Sequence, residues 1–278
     1  MPILGARGGA SSRGLGQFTG SPTAPTSPVA GYHLWLDAAN AGSFTYSSGS
    51  VVSQWTDRSA NAFTFTTAGT TNQPSRTGTQ NGKPTVVFDG NTADYLKSTT
   101  TPATWKYLHD GSGSTMFIVI KSTEPTTYSS ANWIMSTMVG DIGFNVKLPT
   151  GSSSQLGIEI SDGVANTYLE NIQNIPNTGH NVYTFKLDPN NSTNNSKLPM
   201  YINGGSVLNP TFVYNWTGAS TGNPDSTLYL GTGYDGALVA YPQYAFSGEI
   251  AEIITYKSVL SDSDRIANIN YLKAKWGI

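Results

Sequence analysis

Cysteine is absent from the 278 residues, which removes disulfides, thiolate nucleophiles and cysteine-ligated metals and leaves packing or assembly to hold the fold. Charge is also sparse. Asp, Glu, Lys and Arg make up 12% of the chain and the formal net charge is -2. The 15 Lys and Arg stand singly, so no basic stripe of the kind a nucleic acid requires is present. Long apolar runs are missing too: the first 30 residues hold no apolar core of a secretory leader, and no stretch approaches the roughly 20 apolar residues of a membrane span. The sequence therefore predicts either release by a route other than secretion, such as lysis, or a cytoplasmic life.

What the chain does contain is 30 Gly, 15 Pro and 15 Tyr amid many Ser, Thr and Asn, a composition of strands and turns. Apolar residues reach 37%; with Thr and Tyr taking strand faces, a core remains within reach. Residues 1–30 run from a Gly/Ala/Ser segment into a Pro/Thr/Ser linker, with little to bury, and by themselves should not order. Their substantial side chains, Ile3, Leu4, Arg7, Arg13, Leu15 and Phe18, are spaced so that an extended arm can lay them into grooves of a neighbouring subunit. Pro22, Pro25 and Pro28 then act as a semi-rigid spacer. The domain is expected to occupy residues 31–278.

From Gly31 onward, short β-rich runs alternate with Gly, Pro, Asn and Asp. The clearest are 32–36, 85–88, 116–120, 143–148, 156–160, 182–187, 200–202, 228–230 and 249–256, with weaker runs near Phe63 and Trp133. About ten or eleven antiparallel strands are predicted, packed as a sandwich. One helix is expected over 262–276, N-capped by Ser261 with Asp264 three residues on, closed by Gly277 and facing the sheet through Ile266, Ile269, Leu272 and Trp276. Glu249 and Glu252 stand three apart on a strand, which puts them on opposite faces.

The stretch LYLGTGYDG followed by YAFSGEIAEIITYKSVLSDSDRIANINYLKAKWGI resembles the end of concanavalin A-like, LamG-type jelly-roll domains. LWLDAAN, VVSQWTDRSANAF and KPTVVFDGNTADYL resemble the opening strands of that module, and KLPMYINGG its hairpin. The resemblance spans about residues 31–278 and implies an all-β, antiparallel two-sheet jelly-roll sandwich with one C-terminal helix. Lectins, glycosidases, laminin modules and phage structural proteins share this architecture, so it speaks to fold more than to function.

A glycosidase on this fold needs two carboxylates across the sugar, usually spaced i and i+2 or i+4 on one strand. The nearest run, Glu159-Ile160-Ser161-Asp162, has the wrong spacing, so no catalytic residue is assigned and a non-enzymatic protein is expected. His33, His109 and His180 stand alone and read as structural. No cofactor is expected apart from calcium, which LamG-type modules take on rim Asp and Asn oxygens; Asp57, Asn61 and Asp235 are the candidates, each equally suited to an Asx or hairpin turn. Carbohydrate needs an aromatic face beside amides or carboxylates. Tyr214, Asn215, Trp216, Tyr234 and Asp235, with Tyr241 and Tyr244 nearby, offer this, though aromatics also fill cores. Sequons at Asn191, Asn194 and Asn215 are expected accidents of composition.

The segment MPILGARGGASSRGLGQFTG resembles the starts of tailed-bacteriophage structural proteins. Together these resemblances imply a virion structural protein (tail, fibre, baseplate or capsid decoration) that docks on other virion proteins through its arm. It would be homo-oligomeric and would display the sandwich toward a host-surface glycan. A carbohydrate-binding module of a cellular adhesin and a glycosidase are the alternatives.

Overall fold

A computed structural model describes residues 25–67, 69–90, 94–123, 132–150, 152, 154–165, 167–176, 178–209, 212–232 and 245–278, with 212–214 described by their backbone. The arm residues Ile3 to Phe18, and Tyr234, Asp235, Tyr241 and Tyr244, lie outside this set. The fold is all-β and antiparallel, with one C-terminal helix, Asp262–Trp276. No helix among the described residues is long and apolar enough to cross a membrane.

Among the described residues, seventeen strands are hydrogen-bonded in two runs. In the first, Ser247–Tyr256 is central, paired with Ser114–Ser122 on one side and with Leu34–Asp37 and Lys83–Asp89 on the other. Asn181–Leu187 and Met200–Ile202 extend it beyond Ser114–Ser122, and Ser75–Gln80 beyond Lys83–Asp89. The second run lines up Phe212–Tyr214, Tyr168–Asn174, Gln155–Asp162, Ile142–Leu148, Asn132–Ser136, Tyr229–Leu230, Leu96–Ser98, Thr64–Thr66, Val51–Thr56 and Phe44–Ser48. Among the described residues, the pairing of Val51 with Ser75 joins the two, and an isolated parallel bridge links Trp133 to Ala245 just ahead of the central strand. Inner strands read as near-continuous apolar runs because both faces are covered: Met116 to Ile120 and Ile250 to Tyr256 are buried throughout.

More strands form than the sequence predicts, because several are polar and half-exposed. Ser75–Gln80 and Tyr168–Asn174 carry little apolar alternation and are held by their neighbours rather than by their own patterning. The first of these turns back through Asn81 and Gly82, both at positive φ (48° and 69°), the backbone a two-residue hairpin demands.

The helix forms as expected. Ser261 Oγ accepts from Asp264 N at 3.1 Å, and Gly277 takes the left-handed position (φ 68°) that ends it. Its buried face differs from expectation at one residue: Ile266 is 47% exposed. The buried stripe runs through Arg265, Asn268, Ile269, Leu272 and Trp276, and at 100° per residue position 266 falls beyond its edge. The side-chain carbonyl of Asn268 accepts from Val29 N (2.9 Å), and the Tyr256 hydroxyl donates to Val29 O (2.7 Å). Pro28 is buried, so the end of the Pro-rich linker lies on the domain.

Beneath the helix, Glu252 is fully buried and accepts from Trp35 Nε1 (2.6 Å), Tyr271 OH (2.8 Å), Lys275 Nζ (2.7 Å) and Trp276 Nε1 (2.7 Å). Lys275 also reaches Asp37 (2.6 Å), which holds Arg58 (2.5 Å). Burial pushes the Glu252 carboxyl up and Lys275 pulls it back. The alternation rule that placed Glu249 and Glu252 on opposite faces fails here. A β-bulge between Ile250 and Glu252 sets them against Lys121 and Val119, two residues apart on the partner strand and therefore on one face. They do not pair; Glu249 is held by Lys121 (3.1 Å) and Thr85 (2.6 Å).

Candidate functional site

The second run of strands presents one face whose side chains are polar. In antiparallel pairs, residues directly opposite each other share a face. Registers align Ser136, Asn145, Glu159 and Glu170 in a row across four strands. One step along, Lys147 stands opposite both Trp133 and Gly157. One step the other way, Ser161 faces Tyr168, and Tyr168 faces the strand position of Tyr214. The alternate residues Phe144, Val146, Ile158, Ile160 and Leu169 are buried in the core, which fixes the polar set on the opposite side.

Lys147 Nζ lies between the two carboxylates, bonded to Glu159 Oε2 and 3.0 Å from Glu170 Oε1. Burial works against its charge, but Glu159 and Glu170 outweigh that and hold its pKa above the ordinary lysine value. The trio carries one net negative charge. Its ammonium occupies the space between the carboxylates that a scissile glycosidic oxygen needs in a two-carboxylate hydrolase. Trp133 and Tyr168 are half-buried and give this face aromatic surface.

Asn145 is the anomaly. It is 1% exposed, yet neither its Nδ2 nor its Oδ1 has a hydrogen-bond partner among the described residues. A buried amide left unbonded costs about 1–3 kcal/mol. This group stands beside Glu159 in a row of polar side chains.

The residues singled out from sequence fare differently. Tyr214 is brought to the edge of this face by register. Asn215 is exposed with φ 46°, and Trp216 is half-buried against the core. Asp57 and Asn61, named as calcium candidates, are engaged by the chain's own groups. Asp57 is buried, with Oδ1 accepting from Trp35 N (2.6 Å) and Ser59 N (2.9 Å) and Oδ2 bonded to the Ser59 hydroxyl, so it is the Asx-turn that braces the first strand. Asn61 points its amide nitrogen, a donor, at His33 O (2.9 Å). No group of three His, Cys, Asp or Glu placed to hold a metal occurs among the described residues. The histidines are structural: His33 packs edge-on against Phe63 and Tyr107 and burial drives its pKa down to about 4, while His109 Nε2 lies 3.2 Å from Gly222 O.

Sequence reasoning missed Asn145, Lys147 and Glu170, and named Glu159 only for its spacing along one strand. The usable signal was the hairpin: Glu159 and Glu170 stand equally far from the middle of its turn, between Val164 and Ala165, and so face each other if both flanks are strands.

No family profile and no curated protein sequence matches the chain. Among solved structures, the botulinum neurotoxin serotype G binding domain aligns with a TM-score of 0.56 at 11% identity over 88% of this chain and 53% of that one. The botulinum neurotoxin serotype D ligand binding domain in complex with N-acetylneuraminic acid gives 0.56 at 13% identity over 87% and 50%. The Ruminococcus gnavus IT-sialidase CBM40 bound to alpha2,3 sialyllactose gives 0.39 at 23% over 59% and 85%. This chain thus spans about half the length of the two neurotoxin domains, and the likeness to them is one of fold alone.

Proposed function

We propose that this chain is a non-enzymatic, lectin-like glycan-binding protein, with its two strand runs stacked as the layers of a concanavalin A-like jelly-roll sandwich. The observation that carries the reading is the buried, unbonded amide of Asn145, set in a polar sheet face with aromatic surface from Trp133 and Tyr168. Sugar hydroxyls supply both a donor and an acceptor, and pyranose C–H faces pack on aromatic rings. The fold shared with two binding domains, one of them in complex with N-acetylneuraminic acid, supports a binding use. The net negative charge of Lys147, Glu159 and Glu170 favours a neutral glycan over a sialylated one.

The test is a glycan array on the full chain, followed by calorimetric titration of the best neutral ligand against the Asn145→Leu variant. Affinity should fall about tenfold or more, while the unfolding free energy rises by about 1 kcal/mol, because the substitution removes an unsatisfied buried amide. No ligand on the array, equal affinity in both proteins, or release of reducing sugar would sink the reading.

On the same reading, the arm anchors the sandwich to a virus particle. The support is its Gly-rich, phage-like sequence with widely spaced apolar and Arg side chains. Deleting residues 2–20 should leave the melting temperature unchanged and abolish incorporation into particles or oligomers. Assembly at normal stoichiometry would assign the docking to the sandwich itself.

A further inference from the structure

At the far edge of the first strand run, a cleft of about 270 Å³ opens between the end of strand Asn181–Leu187, the loop that follows it, strand Met200–Ile202 and the residues ahead of the helix. The loop is pre-formed by its own bonds. Asp188 N donates to Lys197 O (2.8 Å), Asn191 N to Asp188 O (2.9 Å), and Ser196 N to Thr193 O (2.9 Å). In the charged lining, Lys186 Nζ holds Asp262 (3.1 Å), which Arg265 Nε also reaches (3.3 Å), and the Asp188 carboxylate accepts from Asn191 Nδ2 (3.0 Å).

Three polar groups at the cleft remain uncommitted. The exposed side chains of Asn195 and Ser196 make no hydrogen bond among the described residues. Tyr201 is 8% exposed, its ring covered by the Arg265 guanidinium 3.9 Å from the centroid, and its hydroxyl has no partner among the described residues. The apolar part of the lining is just as unusual. Val207 (47%) and Val259 (41%) are two of the four large hydrophobic residues exposed among the described residues, and both stand here.

We infer that this cleft is a second ligand site, for a single neutral pyranose. Hydroxyls would bond Asn195, Ser196 and Tyr201, and the C–H face of the ring would cover Val207 and Val259. The volume lies below the roughly 300 Å³ at which sites for drug-sized ligands begin, which limits the occupant to about one ring. One cation, Lys186, and one anion, Asp188, line the cleft, so it carries no net charge that would favour a phosphate, an acidic sugar or an amine. The inference does not depend on the reading of the sheet face.

Saturation-transfer NMR on the full chain tests it, with methyl α-mannopyranoside, methyl β-galactopyranoside, N-acetylglucosamine and N-acetylneuraminic acid as probes. The same set is run on a Tyr201→Phe/Asn195→Ala double variant and on Asn145→Leu. At least one neutral probe should still bind the Asn145→Leu protein, and adding the double substitution to that protein should raise its Kd about tenfold. The inference is overturned if no neutral probe binds, if binding responds only to Asn145→Leu, or if the double variant loses the acidic sugar instead. Binding lost only with Asn145→Leu leaves the sheet face standing as the glycan site; binding that survives Asn145→Leu while the array result fails removes the sheet-face reading and keeps this one.

Discussion

Replacing Trp276 with alanine is expected to lower the unfolding free energy by about 3–5 kcal/mol, the range for emptying a fully buried aromatic site. The ring is fully buried, and it is the last large side chain with which the helix meets the sheet. It also donates from Nε1 to Glu252 Oε2 at 2.7 Å, while its backbone carbonyl accepts from Gln80 Nε2 at 2.8 Å. Truncation therefore opens a cavity beside a buried carboxylate and removes one of the four donors that hold it, which places the cost toward the upper end of that range. Trp276→Phe separates the two contributions: it keeps most of the volume and loses only the N–H, so about 1–2 kcal/mol is expected. Urea melts monitored by far-UV circular dichroism check both. A loss below about 1 kcal/mol in the alanine variant would mean that the helix is not part of the cooperative fold.

The helix was legible in the sequence because everything that specifies it is local. Ser261, Asp264, Lys273, Lys275 and Gly277 set its ends within a few residues of where they act. The apolar strands were legible for a similar reason, since Met116 to Ile120 and Ile250 to Tyr256 have nowhere to go but a core. Ile266 misled because three of four apolar residues at helical spacing did mark the stripe and the fourth sits just past its edge. Glu249 and Glu252 misled because a bulge changes the parity of a strand, and its position depends on the partner strand rather than on the sequence around it. The polar sheet face was hidden for the deepest reason. Asn145, Lys147, Glu159 and Glu170 come from three strands, two of them with polar residues where alternation predicts solvent, and only the register brings them together. Asp57 was visible as a residue of interest, but sequence could not say whether its oxygens faced an ion or the chain's own N–H groups; Trp35 N and Ser59 N answer that.

Lys147→Met is the second substitution expected to have a large effect, and it distinguishes scaffold from site. The side chains of Lys147, Glu159 and Glu170 are 15%, 16% and 10% exposed, so removing the ammonium leaves two carboxylates facing each other with little water to screen them. Breaking a buried ion pair on one side costs about 3–5 kcal/mol, mostly through the uncompensated charge that stays behind; with two such charges and partial exposure, about 3 kcal/mol is expected here. Adding Glu159→Gln and Glu170→Gln to the same chain should recover most of that loss, because a trio of neutral groups of similar volume carries no unpaired charge. If the three residues served only to hold the strands together, the triple variant would be as stable as the parent and would bind glycan as well. If they shape the sugar site, stability returns while affinity does not, since each Gln offers one acceptor oxygen where the carboxylate offers two, and the ammonium donor is gone. Denaturant melts paired with the same calorimetric titration decide it, and undiminished glycan affinity in the triple variant would remove the trio from the site.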